Sequence, residues 1–592
     1  MTFEIGIVFC VLLGAILLFV SEKLPVDLVA LLVMAVLVAA RVLTAEEGIR
    51  GFANPATITV AGMFVLSAAL SATGALDGAG RALARLGKRR PMLAVVTLML
   101  GIAGVSAFIN NTAAVAVFLP IVLTMARDTR TSPSKILIPL SFAAIFGGTC
   151  TLIGTSTNIL TSSIAEAHGL RAFGMFELAP LGLVVLAIGT LYMATAGIRM
   201  LPARRPPGDL AGEFEMAQYL TEIVLLPHAA SVGTRLAESP LVRDVGMGVL
   251  EIVRGDGRIP LPRGDTVLLA GDVLRVRCAV EKIRKLQERE GVAIRPHGPW
   301  RADDLRSDKL TLVEAVLAPN SEYAGKTLND LRFRDTFGGT VLAIRHHGQV
   351  VHEQLAVTPL RPGDALLIDV NRDDLPRIRR HRGFVVVSEI ESPEIRGRRA
   401  LPAVAIVAGV VAAVASGALP VVSAAVIGCV LMVVSRCITL EEAYQAIEWK
   451  VVFLMAGVLS LGTALENTGA ARLITQAMLS LVGPWGPTAV VSVLYAVTSL
   501  LTEMMSNVAT AALMAPIAIV AAEALGCDSR PLLMAVTFAA SASFMTPVGY
   551  QTNTLVYGPG GYRFSDFVRV GAPLNLILWI LATLLIPRFW PF

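Results

Sequence analysis

The chain has 592 residues, 55% of them hydrophobic and 16% charged, with a mean hydropathy of +0.68. Soluble domains carry about 25% charged residues, so this composition excludes a disordered chain, a disulfide scaffold and a lone soluble enzyme, and indicates a polytopic α-helical membrane protein. The net charge of +5 is small for this length and gives no basic stripe for nucleic acid.

The N-terminus, MTFEIGIVF, carries an acid and no basic segment, so no cleavable signal is expected. A crossing helix needs about 20 apolar residues. The first flank offers five such runs, at 5–21, 26–43, 55–76, 135–164 and 175–200, and an interrupted apolar stretch at 91–126 broken at GIAGVSAFINNTA. Charge then concentrates: residues 201–399 hold 30 of the 50 Lys and Arg and 28 of the 45 Asp and Glu, as in a soluble insert. The second flank repeats the first plan, with runs at 401–418, 421–438, 450–467, 531–557 and 570–590 and an interrupted stretch at 488–525 broken at LTEMMSNVATA. Six cysteines show no CxxC and no zinc spacing, so free buried thiols are expected.

The flanks are copies of each other. RVLTAEE (41–47) returns as RCITLEE (436–442), ALSATGA (69–75) as ALENTGA (464–470) and IGTSTN (153–158) as VGYQTN (548–553), each 395 residues on; NNTAA (110–114) returns as SNVAT (506–510) 396 residues on. An odd unit of five spans, copied across an insert that stays on one side, must be inverted, which is the plan of many secondary transporters. Arg81, Arg85, Lys88, Arg89, Arg90, Arg127, Arg130, Lys135, Arg199, Arg204, Arg205, Arg396, Arg398 and Arg399 then fall on one side. By the excess of positive charge in cytoplasmic loops, that side is the cytoplasm. The expected location is the cell (inner) membrane, with 201–399 cytoplasmic and both termini outside.

Each interrupted stretch reads as a re-entrant hairpin tipped by Asn and small hydroxyl residues, and the span after each has its own break, at 147–158 and 545–553. Irregular backbone at membrane depth is tolerated only inside protein or along a cavity. Helix N-termini at such breaks suit an anion; neutral side-chain and carbonyl oxygens suit a hard cation such as Na+. The only ionisable side chain in the four breaks is Glu503, expected as a solvated group at the hairpin base or as a gate.

The motifs INNTAAVAVFLP (109–120), TLIGTSTN (151–158), EMMSNVATAALMAP (503–516) and TPVGYQTN (546–553) resemble the divalent anion/Na+ symporter family, whose hairpin tips read Ser-Asn-Thr and whose following turns are TPPN-like. Here the tips read Asn110-Asn111-Thr112 and Ser506-Asn507-Val508, and the turns lack the double proline. The resemblance implies a homodimeric elevator transporter in the lipid bilayer, with spans of 1–90 and 400–487 as scaffold and 91–200 and 488–592 as the moving part. It implies Na+ as coupling ion at Ser106, Asn110, Asn111 and Gly154, and at Thr502, Met505, Asn507 and Gly549. The anion falls to Asn110, Asn111, Thr112, Thr155, Ser156, Ser506, Asn507, Val508 and Tyr550. Val508 in place of a hydroxyl favours a compact dianion, sulfate first; a dicarboxylate or citrate is the alternative within the fold. No catalytic constellation or cofactor motif is present.

The insert has an internal repeat. EIVLLPHAASVGTRL (222–236) matches EAVLAPNSEYAGKTL (314–328), and Gly271-Asp272 matches Gly363-Asp364, both 92 residues on. Each unit reads as short strands, a Gly-Asp turn and a charged helix, at 281–290 and at 372–381. The units resemble TrkA-C (RCK C-terminal) domains over 218–290 and 310–385, with linkers at 201–217 and 386–400. That resemblance implies regulation by a small cytosolic ligand, a nucleotide first; a transporter-like sensor signalling through these modules is the alternative of another class. A channel is disfavoured, because a pore usually forms on an oligomer axis. His346 and His347 are expected at a strand end and solvated.

Overall fold

The computed structural model describes residues 3–21, 24–75, 91–128, 131–203, 220–243, 248–255, 257–260, 262–277, 292–295, 310–319, 321–346, 349–351, 355–371, 374–381, 383–386 and 399–592. The chain divides into two compact units: the helical flanks, and an insert spanning 204–389. Among the described residues five helices are long and apolar enough to cross a membrane, Ala45–Ala72, Ala179–Met200, Trp449–Asn467, Asn507–Leu525 and Phe564–Phe589, and eight shorter apolar helices accompany them.

In the first flank, helices α1 (Phe3–Ser21), α2 (Val26–Ala39) and α3 (Pro55–Ala72) are followed by the hairpin α4 (Pro91–Ser106) and α5 (Asn111–Asp128). The next span is two helices, α6 (Leu137–Gly148) and α7 (Ser156–Ala167), before α8 (Ala179–Tyr192), which continues through a π turn to Met200. In the second flank α9 (Ala400–Ala415), α10 (Val421–Val434) and α11 (Trp449–Asn467) precede α12 (Ala470–Val482). The hairpin is α13 (Pro487–Thr502) and α14 (Asn507–Leu525); the broken span is α15 (Arg530–Ser541) and α16 (Gln551–Gly560), and α17 (Phe564–Phe589) closes the chain. Helix α12 has no counterpart among the expected spans; the equivalent stretch of the first flank, with the basic loop at 81–90, lies outside the described residues. Arg130, Arg204, Arg205, Arg396 and Arg398 lie outside them too.

Local signals recur with the sequence. Thr44 with Glu47, and Thr439 with Glu442, form capping boxes at the same place in each flank, satisfying free N–H groups of a helix start. Arg41 and Arg436 both take a left-handed backbone. Pro120 and Pro516 sit inside α5 and α14 at matching positions. Helices α6, α14 and α15 are buried along nearly their whole length, as expected of helices apolar on all sides. Polar ties join the two flanks. Asn467 Nδ2 donates to Glu47 Oε1 at 3.1 Å, the Arg530 guanidinium grips Glu177 at 2.7 and 2.8 Å, and His168 bonds Glu466. Elsewhere Tyr562, fully buried, donates to Ser134 O at 2.6 Å and accepts from Ile138 N at 3.0 Å. The five described cysteines are free thiols, Cys10 exposed rather than buried.

The insert holds two antiparallel sheets. The first joins β1 (Leu220–Leu225), β2 (Gly248–Arg254), β3 (Gly257–Pro260), β4 (Val273–Arg277) and β5 (Val292–Arg295) in the order β3-β2-β4-β1-β5. The second joins β6 (Leu310–Leu317), β7 (Gly339–His346), β8 (Gln349–Val351), β9 (Ala365–Asn371) and β10 (Phe384–Val386) in the order β10-β6-β9-β7-β8, the same topology read from the other edge. Even the register shift recurs, at Val249/Glu251 and at Val341/Ala343. The expected helix at 281–290 lies outside the described residues; the second is Leu375–Arg380. His346 departs from the solvated expectation, since its Nδ1 pairs with Asp364 Oδ1 at 2.8 Å, where Arg254 holds Asp272 in the first module. His347 lies outside the described residues.

Candidate functional site

Both hairpin tips are helix starts. Asn110 Oδ1 accepts from Thr112 N at 2.9 Å and caps α5; Ser506 Oγ accepts from Ala509 N at 3.3 Å and caps α14. The residue after each cap, Asn111 and Asn507, is buried and turned inward.

Around Asn111 the structure gathers oxygens. Its Oδ1 stands 2.5 Å from Ser106 Oγ, 3.2 Å from Gly154 O and 3.3 Å from Ala144 O. One hydroxyl proton serves this cluster, so hydrogen bonding alone does not stabilise it. Reversing the amide would aim its N–H group at the same three oxygens and its oxygen at the Tyr550 hydroxyl. A hard cation among the oxygens would favour the first orientation. Around Asn507 the pattern repeats: Thr502 Oγ1 lies 2.8 Å from Asn507 Oδ1 and 2.7 Å from Ala540 O, with one proton for two acceptors, and Asn507 Nδ2 has no hydrogen-bond partner among the described residues. Ala144 and Ala540 are themselves equivalent in the two flanks. These neutral oxygens fit Na+ in kind.

One asparagine amide closes each of the breaks that follow in the same way. Asn158 Nδ2 donates to Gly148 O at 3.1 Å and Thr151 O at 2.9 Å; Asn553 Nδ2 donates to Ser543 O at 3.0 Å and Thr546 O at 3.1 Å. Each asparagine ties the two ends of an unwound segment together. The glycines between are obligatory by space: a Cβ on Gly154 would lie 2.5 Å from Gly148 O, and one on Gly549 would lie 2.2 Å from Ser543 Oγ.

The halves cross at the centre. Asn111 Nδ2 lies 2.7 Å from the Tyr550 hydroxyl, and Thr112 Oγ1 donates to Gln551 Oε1 at 2.8 Å, so the first tip rests on the second turn. A small recess beside α3 is lined by Asn110, Gly154, Thr155 and Ser156 together with Val60 and Phe64. Ser106, Asn111 and Gly154 thus come together, as do Thr502 and Asn507 with Gly549 near them. Asn110 acts as a cap instead and is not among the oxygens of the first cluster. For Met505 the bond seen is its N–H to Leu501 O, outside the second cluster. Val508 is buried beside the second tip.

Glu503 departs from expectation: it is 7% exposed, not solvated. Its carboxylate accepts from the N–H groups of Phe544, Met545 and Thr546 and from Asn575 Nδ2, all at 2.9 Å. It braces the second break. Asn158, Asn553, Gln551 and Asn575 were missed by sequence reasoning. The first two were visible as the shared last letter of IGTSTN and VGYQTN.

A family model described as "Citrate transporter" matches residues 16–531. The chain belongs to that transporter family. It is 39% identical to the uncharacterized transporter sll0640 of Synechocystis over 99% of this chain and 97% of that one, and 32% identical to the uncharacterized transporter YfbS of Escherichia coli over 98% of each. It is 24% identical to sodium/sulfate cotransporter 1 of Chlamydomonas reinhardtii, over 92% of this chain and 85% of that one. The expected membrane transporter is therefore shown at the level of the family; the family model does not identify TrkA-C domains as such.

Proposed function

We propose that this chain is a Na+-coupled secondary transporter for a small dianion, sulfate favoured. The observation that carries the reading is the pair of matching oxygen clusters, each made of a tip asparagine, a hydroxyl five residues before it and a carbonyl of the following span, with no ionisable ligand in the clusters. Proton-driven carriers usually use intramembrane carboxylates that titrate; here the one carboxylate nearby is committed to four hydrogen bonds. The sodium/sulfate cotransporter among the relatives supports both the ion and the anion, and the family description keeps citrate as the second reading.

In this reading the flanks are inverted repeats of an elevator, with hairpins and broken spans moving against α1–α3 and α9–α11 in each protomer of a dimer. The insert is a pair of TrkA-C-like regulatory modules on the cytoplasmic side, responsive to a small ligand such as a nucleotide. Labelled sulfate uptake into proteoliposomes tests the core of it. Uptake should require an inward Na+ gradient and rise sigmoidally with Na+. Equal uptake driven by a proton gradient in Na+-free buffer would overturn the coupling; uptake of citrate in preference to sulfate would overturn the substrate.

A further inference from the structure

The two unwound turns run into the helices that follow them as Gly-Thr-Ser-Thr-Asn at 154–158 and Gly-Tyr-Gln-Thr-Asn at 549–553. Three positions are shared, and the other two are enlarged in the second turn. Both enlarged side chains reach the first tip, Tyr550 to Asn111 and Gln551 to Thr112. The Tyr550 hydroxyl also faces the side chain of Thr155, its own counterpart in the first flank. A residue that touches its repeat counterpart lies where the two halves meet. A dianion cradled by both tips must sit at that same place. With threonine on both sides a gap would remain between the turns; the tyrosine ring occupies the second half of it.

We propose that Tyr550 sets which dianions fit: its ring excludes long ones, and its hydroxyl positions Asn111 for the cation. This rests on the dianion-transport reading above and adds a division of labour within one side chain. The ring is apolar and rigid, so the second carboxylate of a longer anion would meet it without a donor, and a buried charge left unpaired is strongly disfavoured. The hydroxyl is a separate matter. It holds one end of the Asn111 amide, accepting from Nδ2 in one orientation and donating to Oδ1 in the other, and so fixes where the opposite end meets Ser106 and Gly154.

Two variants separate the parts. Wild-type protein in proteoliposomes should take up labelled sulfate, with thiosulfate competing and succinate and citrate not. Tyr550→Thr, which copies the first turn, should make succinate about tenfold or more stronger as a competitor. Tyr550→Phe should keep succinate out while raising the Na+ concentration for half-maximal uptake severalfold. If Tyr550→Thr does not fold, as judged by its elution and melting in detergent, Tyr550→Leu takes its place in the size arm. Succinate exclusion that survives ring removal, or succinate entry in Tyr550→Phe, overturns the filter. Unchanged Na+ dependence in Tyr550→Phe overturns the positioning role. Should wild-type protein transport none of these anions, the transport reading has failed; the filter is then read from Na+-dependent thermal shifts with the same panel, and equal shifts by sulfate and succinate in wild type overturn it.

Discussion

In the first flank, the peptide after α6 is tied to its hairpin by a single hydroxyl, Thr151 on the carbonyl of Ala107. In the second, the residue at the place of Ala107 is Glu503, and its carboxylate gathers three consecutive backbone N–H groups and an amide from α17. The Nδ2 bonds by which an asparagine bridges each break are the same in both. A duplicated unit therefore keeps what both copies need, the oxygen cluster and the closed break. It changes what surrounds them. The second copy has a charged brace and a bulky turn, and its turn rests on the tip of the first.

The largest effect expected from this comparison is at the asparagines. Asn111→Ala and Asn507→Ala each remove the amide at the centre of an oxygen cluster, and Na+-dependent uptake should fall by about 10–100-fold in both, taking losses at metal-site partners as a guide. The copies should not be equal. Asn111 also holds Tyr550, so its loss should disturb anion selection more than the loss of Asn507 does. Identical competition profiles in the two variants would remove the asymmetry argued above.

Next comes the brace. Glu503→Gln keeps one acceptor oxygen and replaces the other by a donor facing donors. Each N–H left unpaired in the interior costs about 1–3 kcal/mol. Thr151→Val in the first flank removes a single neutral bond, about 1 kcal/mol net. Melting in detergent should therefore drop clearly further for Glu503→Gln than for Thr151→Val. Equal drops would mean that the carboxylate is dispensable and that helix packing alone holds the second break.

Much of this was legible in the sequence because the chain says most things twice. The spacing of 395 to 396 residues placed both hairpins, both breaks and both oxygen clusters, since each motif had a partner to be compared with. What escaped was what the copies do not share. Glu503 reads as a lone acid next to an apolar run, and nothing local shows that three N–H groups from residues 544–546 will converge on it. Gln551 and Asn575 act on residues far away in the chain, so no local pattern marks them. Asn110 matches the tip signature but works as a cap, because the first N–H groups of α5 lack partners within the helix. Helix α12 is amphipathic and too short for a span, and a search for apolar runs passes over it.

The insert extends the comparison to a second duplicated pair and gives the smallest expected effect. Both modules bury a glutamate at one strand position, Glu222 in β1 and Glu314 in β6, yet the arginine facing it comes from β4 in the first (Arg275) and from β7 in the second (Arg345). On the central strands the register pairs Arg277 with Leu220 and Gly248, and Asp369 with Leu312 and Thr340, so the two residues are equivalent and opposite in charge. Asp369 is 3% exposed, and its Oδ1 accepts no hydrogen bond. Burial first, and the Glu251 carboxylate of the other module second, push its pKa from the usual 3.8 up to about 7. The folded state then holds a proton that the unfolded chain releases between pH 4 and 7. Stability of the second module is fully expressed below that window, is lost as pH rises through about 7, and is level above it. The slope is at most about 1.4 kcal/mol per pH unit. Hydrogen exchange of β6 and β9 in the intact protein, corrected for the chemical exchange rate, should show protection falling over this range, with β1 and β4 falling less. Asp369→Asn should flatten the fall, because an amide at that position has no charge to bury. A fall that persists unchanged in Asp369→Asn would overturn the assignment of the pH dependence to this carboxyl group.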